Sequence, residues 1–172
     1  AGFDPDATDS AGRTALHLAS ENDHIACVEL LIAARANVNF RGKSKEKPLH
    51  LASRNGHAGC VRLLISAGAK VDNVDSHSKT ALHWASQKGH TERVGLLLDA
   101  KANVNRLDRH GKKPLDFASK KGRTGCVKLL LDAGADPLAS NDNGEKPHKR
   151  ARRNGRQGIV NPLQNQGLAD DT

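Results

Sequence analysis

One spacing governs this chain. Thr-Ala-Leu-His begins at Thr14 and again at Thr80, Lys-Pro-Leu-His at Lys47, and Lys-Pro-Leu-Asp at Lys113. These starts lie 33 residues apart with no insertion, and Lys146-Pro147 opens a fifth in the same register. Three further series keep step: Ala19 to Ala151, Gly56 to Gly155, and Leu31 to Leu163. Such a period means an array of small supersecondary units, each too thin to bury its apolar face alone. Composition agrees. One Trp, three Phe, no Tyr and no Met leave few bulky pieces for a single large core, whereas Leu and Ala suit thin layers of packed helices.

Within a repeat the spacing predicts two helices. In the third, Thr80 opens the first helix, where its hydroxyl can cap free amides. Pro48 and Pro114 stand one position later, the first-turn site that tolerates proline. Gly89 ends that helix because a positive φ is cheapest at glycine. A second helix carries Val94, Leu97 and Leu98 at helical spacing, and Ala-Asn-Val-Asn at 102–105 leads into the next turn. Asp9, Asp75 and Asp108 each stand at the opening of a turn and read as turn-formers.

The T-P-L-H-x-A pattern at a period of 33 resembles the ankyrin repeat family. The resemblance is specific from residue 9 to about 140 and weaker to about 168. It implies an all-α solenoid of stacked helix–turn–helix units with hairpin-like turns set at right angles to the helices. The expected organisation is a single domain, 1–172, with full repeats at 9–41, 42–74, 75–107 and 108–140. Residues 1–8 align with the close of the fourth repeat at 133–140, so they read as the tail of an upstream repeat in a longer chain. Residues 141–172 read as a degenerate capping repeat whose second helix is broken by Pro162. As a fragment the array is expected to be monomeric.

Several functional classes find no support in the residues. No apolar run is long enough to span a membrane, and the acidic, apolar-poor start is no signal peptide. Cys27, Cys60 and Cys126 share one slot among apolar residues. Packed layers sit about 8–10 Å apart, and a disulfide needs α-carbons within about 7 Å, so the thiols are expected to be free. That suits a reducing compartment, cytoplasm and/or nucleus. His17, His50 and His83 also share a slot, which in the family ties turn backbone together, so structural histidine outweighs a metal site. No metal and no cofactor are expected. No nucleophile–base constellation appears, and the single periodic glycines form no phosphate loop; the chain is not expected to be an enzyme.

What remains is a surface. The formal charge is +8, yet residues 1–39 carry a net of −4 and the remainder +12. In the family the partner lies along a concave face of turn tips and exposed first-helix sides. Those slots hold Arg41, Lys43, Arg54, His77, Lys79, Trp84, Lys88, Arg109, His110, Lys112, Lys120, Lys121 and Arg153, with Glu46 as the acidic exception. Trp84 reads either as packing between first helices or as a binding hot spot; Leu107 is a second apolar anchor. The resulting expectation is a scaffold or adaptor that binds an acidic or phosphorylated protein segment. The alternative is a binder of nucleic acid or anionic phospholipid headgroups through this face and the basic run. That run, Lys149, Arg150, Arg152 and Arg153, also resembles a nuclear-localisation signal. Asn39 and Asn105 resemble ankyrin asparagines modified by a 2-oxoglutarate-dependent hydroxylase; the plainer reading is a turn asparagine bonding adjacent backbone.

Overall fold

The computed structural model describes residues 4–168, with side chains to Leu163. Ten helices follow one another in pairs: α1 (Ala15–Glu21), α2 (Ile25–Ala33), α3 (Pro48–Asn55), α4 (Ala58–Ser66), α5 (Ala81–Lys88), α6 (Thr91–Asp99), α7 (Pro114–Lys121), α8 (Thr124–Asp132), α9 (Pro147–Arg153) and α10 (Gln157–Leu168). Odd-numbered helices stack on one another in one row and even-numbered helices in a second, with each pair also packed internally. Between pairs the chain makes extended turns. Among the described residues the only β pairing is the isolated bridge from Thr8 to Thr14.

Local chemistry sets each element. At α5 the Thr80 hydroxyl accepts from the His83 amide, and the Thr80 amide donates to His83 Nδ1 at 3.1 Å. Gly89 closes the helix at φ 88° with its amide on the Ala85 carbonyl. The turn asparts do what their positions required: Asp75 Oδ1 accepts from the amides of His77 and Lys79, and Asp108 Oδ1 from those of His110 and Lys112. Successive tips then join, Ser76 donating to the Ser44 carbonyl and Arg109 to that of His77.

Burial is equally periodic. Leu16, Leu49, Leu82 and Leu115 are 0–3% exposed, and Leu64, Leu97, Leu130 and Leu163 are fully buried. Each such leucine contributes about 1.5–3 kcal/mol, and each is covered only because a neighbouring layer exists.

Three expectations change in three dimensions. Pro162 does not break the last helix, which runs through it from Gln157 to Leu168. The proline costs one hydrogen bond to the residue four earlier; that residue is Gly158, with open space around it, and the ring itself is exposed. Cys27 does not share the burial of Cys60 and Cys126, because no described layer lies in front of α1 and α2. There Leu18, Ile25 and Leu30 are 36%, 41% and 70% exposed, around an apolar depression of about 560 Å³. Finally, the turn asparagines bond the next repeat rather than adjacent backbone. Asn39 Oδ1 accepts from the Lys70 amide while its amide donates to the Gly68 carbonyl, and Asn105 repeats this with Asp136 and Gly134.

Candidate functional site

The histidine slot shows how the repeats are tied together beneath the charged face. In His17, His50 and His83, Nδ1 accepts a backbone amide of its own helix start. Nε2 then carries the proton and donates to a carbonyl of the next repeat, at Glu46, Lys79 and Lys112 respectively. Burial disfavours the imidazolium and pushes His50 and His83 down to about 4. These rings are neutral structural ties.

At the fourth repeat the slot changes chemistry. Asp116 still accepts an amide, from Lys113 at 2.8 Å, but a carboxylate has no proton to donate onward. Arg150, standing one repeat after Phe117, reaches back to it at 3.1 Å and also meets Glu145 at 3.2 Å. Both members of the Asp116–Arg150 pair are almost wholly buried, and the contact lacks hydrogen-bond alignment at Asp116 Oδ1. Desolvation raises the Asp116 carboxyl above its usual range, against the Lys113 amide and the Arg150 charge. The sequence carried a signal for this network: two neighbouring columns depart from the pattern together, one repeat apart.

The thirteen residues expected on the binding face fall into distinct environments. Arg41, His77, Lys88, Arg109, His110, Lys120 and Lys121 are exposed. Lys43 is exposed too, its Nζ bonded to the Ser10 carbonyl. Arg54 is half-buried and neutralised by Glu46 and Glu21, so it is not an available cation. Trp84 is half-buried, and its indole donates to Asp75 at 2.9 Å. Its ring is covered by Lys79 at 4.2 Å and Arg54 at 5.5 Å. Lys79 also lies 4.4 Å over Phe117 and donates to Gln87; burial lowers its pKa. The aromatic anchor is therefore capped by the chain's own cations. Leu107 stands 51% exposed.

Lys112, Lys120, Lys121 and Arg153 converge. They line one cleft of about 250 Å³ between α7 and α9, floored by Phe117 and walled by Gln87 and the turn of Asn141 and Asn143. Arg153 is paired with Glu145 at 2.9 Å. The three lysines have no ion-pair partner among the described residues.

The basic run needs one correction. Lys149, Arg152 and Arg153 are exposed, but Arg150 is 3% exposed and held between Asp116 and Glu145. An import receptor has no access to it in the folded array. Burial likewise raises the Cys60 thiol, to about 12, and that of Cys126, which removes thiolate chemistry from both. Among the described residues no three His, Cys, Asp or Glu side chains are grouped to hold a metal, and no helix is long and apolar enough to cross a membrane.

No curated protein matches this chain. A family model does: the one described as ankyrin repeats (3 copies) matches residues 1–75 and again residues 68–141. Members of that family are generally protein-protein interaction modules and are typically non-catalytic. With paired helices, histidine ties and a 33-residue period in hand, the chain belongs to the ankyrin repeat family.

Proposed function

We propose that this chain is a non-catalytic interaction module that binds an acidic segment of a partner protein along its turn tips and first helices. The observation that carries the reading is a group of cations on this face that have no ion-pair partner among the described residues. Arg13, Arg54, Arg62 and Arg93 are consumed in ion pairs with acids of the chain itself. Lys88, Lys112, Lys120 and Lys121, on α5, α7 and the turn before α7, have no such partner among the described residues. Unspent charge on one face favours an extended partner rich in Asp and Glu.

Nucleic acid is disfavoured by the same face. Sequence-tolerant binding of single strands needs aromatic rings open for base stacking, and the rings of Trp84 and Phe117 lie under Lys79 and Arg54. The proposed setting is a reducing compartment, cytoplasm or nucleus, which three unpaired cysteines suit.

The test is a fluorescence-anisotropy titration with a Glu-rich peptide and with a single-stranded RNA of equal charge, over a series of salt concentrations. Changing Lys112, Lys120 and Lys121 together to Glu is expected to abolish peptide binding. Stability should move by no more than about 0.5 kcal/mol for each surface change. Peptide affinity retained in this variant moves the site elsewhere. RNA held more tightly, with a steep log-linear salt dependence, replaces the reading with nucleic-acid binding.

A further inference from the structure

The cleft between α7 and α9 differs from the rest of the basic face in being a recess with its own internal charge balance. Five cations line it, against two carboxylates, Asp116 and Glu145. Those two acids are already committed: Arg150 lies against both, and Arg153 against Glu145. Three positive charges are left, on Lys112, Lys120 and Lys121. Resting on the reading above, we propose that this cleft is a subsite for a phosphorylated serine or threonine within the acidic segment.

The arrangement suits a phosphate monoester better than a side-chain carboxylate. A carboxylate brings one charge and two oxygens. A phosphoserine near neutral pH brings between one and a half and two negative charges and three acceptor oxygens, which matches the three lysines that line the recess. Gln87 adds a donor of fixed sense. Its side-chain oxygen is taken by Lys79 at 3.0 Å, so its amide NH2 is the uncommitted end.

The support beneath the lysines is rigid. The Lys112 amide donates to Asp108 Oδ1 at 2.9 Å, and its carbonyl accepts from His83 Nε2 at 3.1 Å and from the Asp108 amide at 2.9 Å. Lys120 and Lys121 occupy the last turn of α7, which Gly122 closes at φ 71°. The buried Arg150 and the neighbouring Arg153 offset the charge of Glu145 by pairing with it. A donor set on a fixed backbone loses less entropy when it captures an anion.

The phosphate of a polynucleotide is the weaker match. Phosphodiesters recur along a strand, and a strand needs a stripe of cations with stacking rings between them. Here the cations meet in one recess, and Phe117 on its floor is covered by Lys79 at 4.4 Å.

The experiment uses the whole chain and a pair of fluorescent peptides. One is a Glu-rich peptide with a single central serine; the other is the same peptide phosphorylated there. The phosphorylated form is expected to bind about tenfold more tightly or better, the increment of added charge-assisted hydrogen bonds. That increment should vanish in Lys112→Gln and in Lys120→Gln/Lys121→Gln, and survive in Lys88→Gln, which removes a cation of the same face outside the cleft. It should also shrink between pH 7.5 and 5.5, as the phosphate takes up its second proton near pH 6. Thermal melts of the variants confirm that each is folded.

Equal affinity of the two peptides overturns the subsite while leaving the acidic-segment reading intact. So does an increment that survives the cleft variants, or one that Lys88→Gln removes equally. Failure of both peptides to bind overturns both readings. A single-stranded oligonucleotide bound as tightly as the phosphopeptide overturns the assignment to a protein phosphate.

Discussion

The junction between the third and fourth repeats and the junction between the fourth and fifth occupy the same geometric slot with opposite chemistry. In the first, neutral His83 donates a hydrogen bond from its Nε2–H to the Lys112 carbonyl, 3.1 Å away. In the second, Asp116 has no proton to give, and Arg150 crosses from the next helix to meet it at 3.1 Å. The imidazole tie costs little in desolvation because it is uncharged. The ion pair costs more, since both charges leave water and are compensated by each other, by Glu145 and by the Lys113 amide. The difference teaches where this array tolerates charge. In this slot the interior junctions are neutral and periodic, while the one between the fourth and fifth repeats is charged and its two residues line the cleft of lysines.

Acid should break the comparison most strongly. An unfolded histidine titrates near 6.5, whereas His50 and His83 in the native array do so at about 4. Between those values the unfolded chain binds protons that the native state refuses. Stability is therefore full above about pH 6.5, falls as the pH drops toward 4, and loses nothing more from these groups below that. The loss is roughly 3 kcal/mol for each of the two. Asp116, with its carboxyl raised, has the opposite sign: its contribution is present at pH values below its ordinary value and is lost as the pH rises through its native one. Urea melts from pH 7.5 to 4, repeated with His83→Asn, should show a shallower acid slope in the variant. An unchanged slope would remove the histidine ties as the cause.

Breaking the other junction comes next. Arg150→Met leaves the Asp116 carboxyl buried without its cation and should cost about 3–5 kcal/mol. Adding Asp116→His restores the pattern of the earlier repeats, with a proton available for the Glu145 carbonyl, and should recover most of that loss. A double variant no more stable than the single one would mean that the two junctions are not equivalent slots.

The smallest contrast lies between an interior layer and an end layer. Leu97 is fully buried and Leu31, in the same column, is only half-buried. Leu97→Ala should cost about 2–5 kcal/mol as a cavity, and Leu31→Ala less. Equal losses would mean that the face of the first repeat is covered as an interior layer is.

Much of the fold was legible because the same local rules recur from repeat to repeat. Thr80, Pro114 and Gly89 mark helix ends through backbone chemistry that acts within a few residues, and Asp75 and Asp108 fold their own turns. The candidate face was legible only as a list of slots. Arg54 belonged to that list and proved neutralised, because Glu21 stands one repeat before it and Glu46 folds back beside it. Trp84 belonged to it and proved capped. Arg150 was counted in a basic run and proved buried, since its slot faces the preceding layer. Pro162 read as a helix stop, and the helix accommodates it above Gly158.

The sequence by itself determined the period, the two helices of each repeat, their caps and the columns of side chains that stack. These follow from short-range preferences and from apolar spacing, which one chain displays without its neighbours. Only the tertiary structure decided which cations are spent and which are free. Stacking brings residues about one period apart into contact, and whether a given Lys or Arg finds a carboxylate there depends on reach and burial. Those are properties of two adjacent layers, and no single repeat contains them.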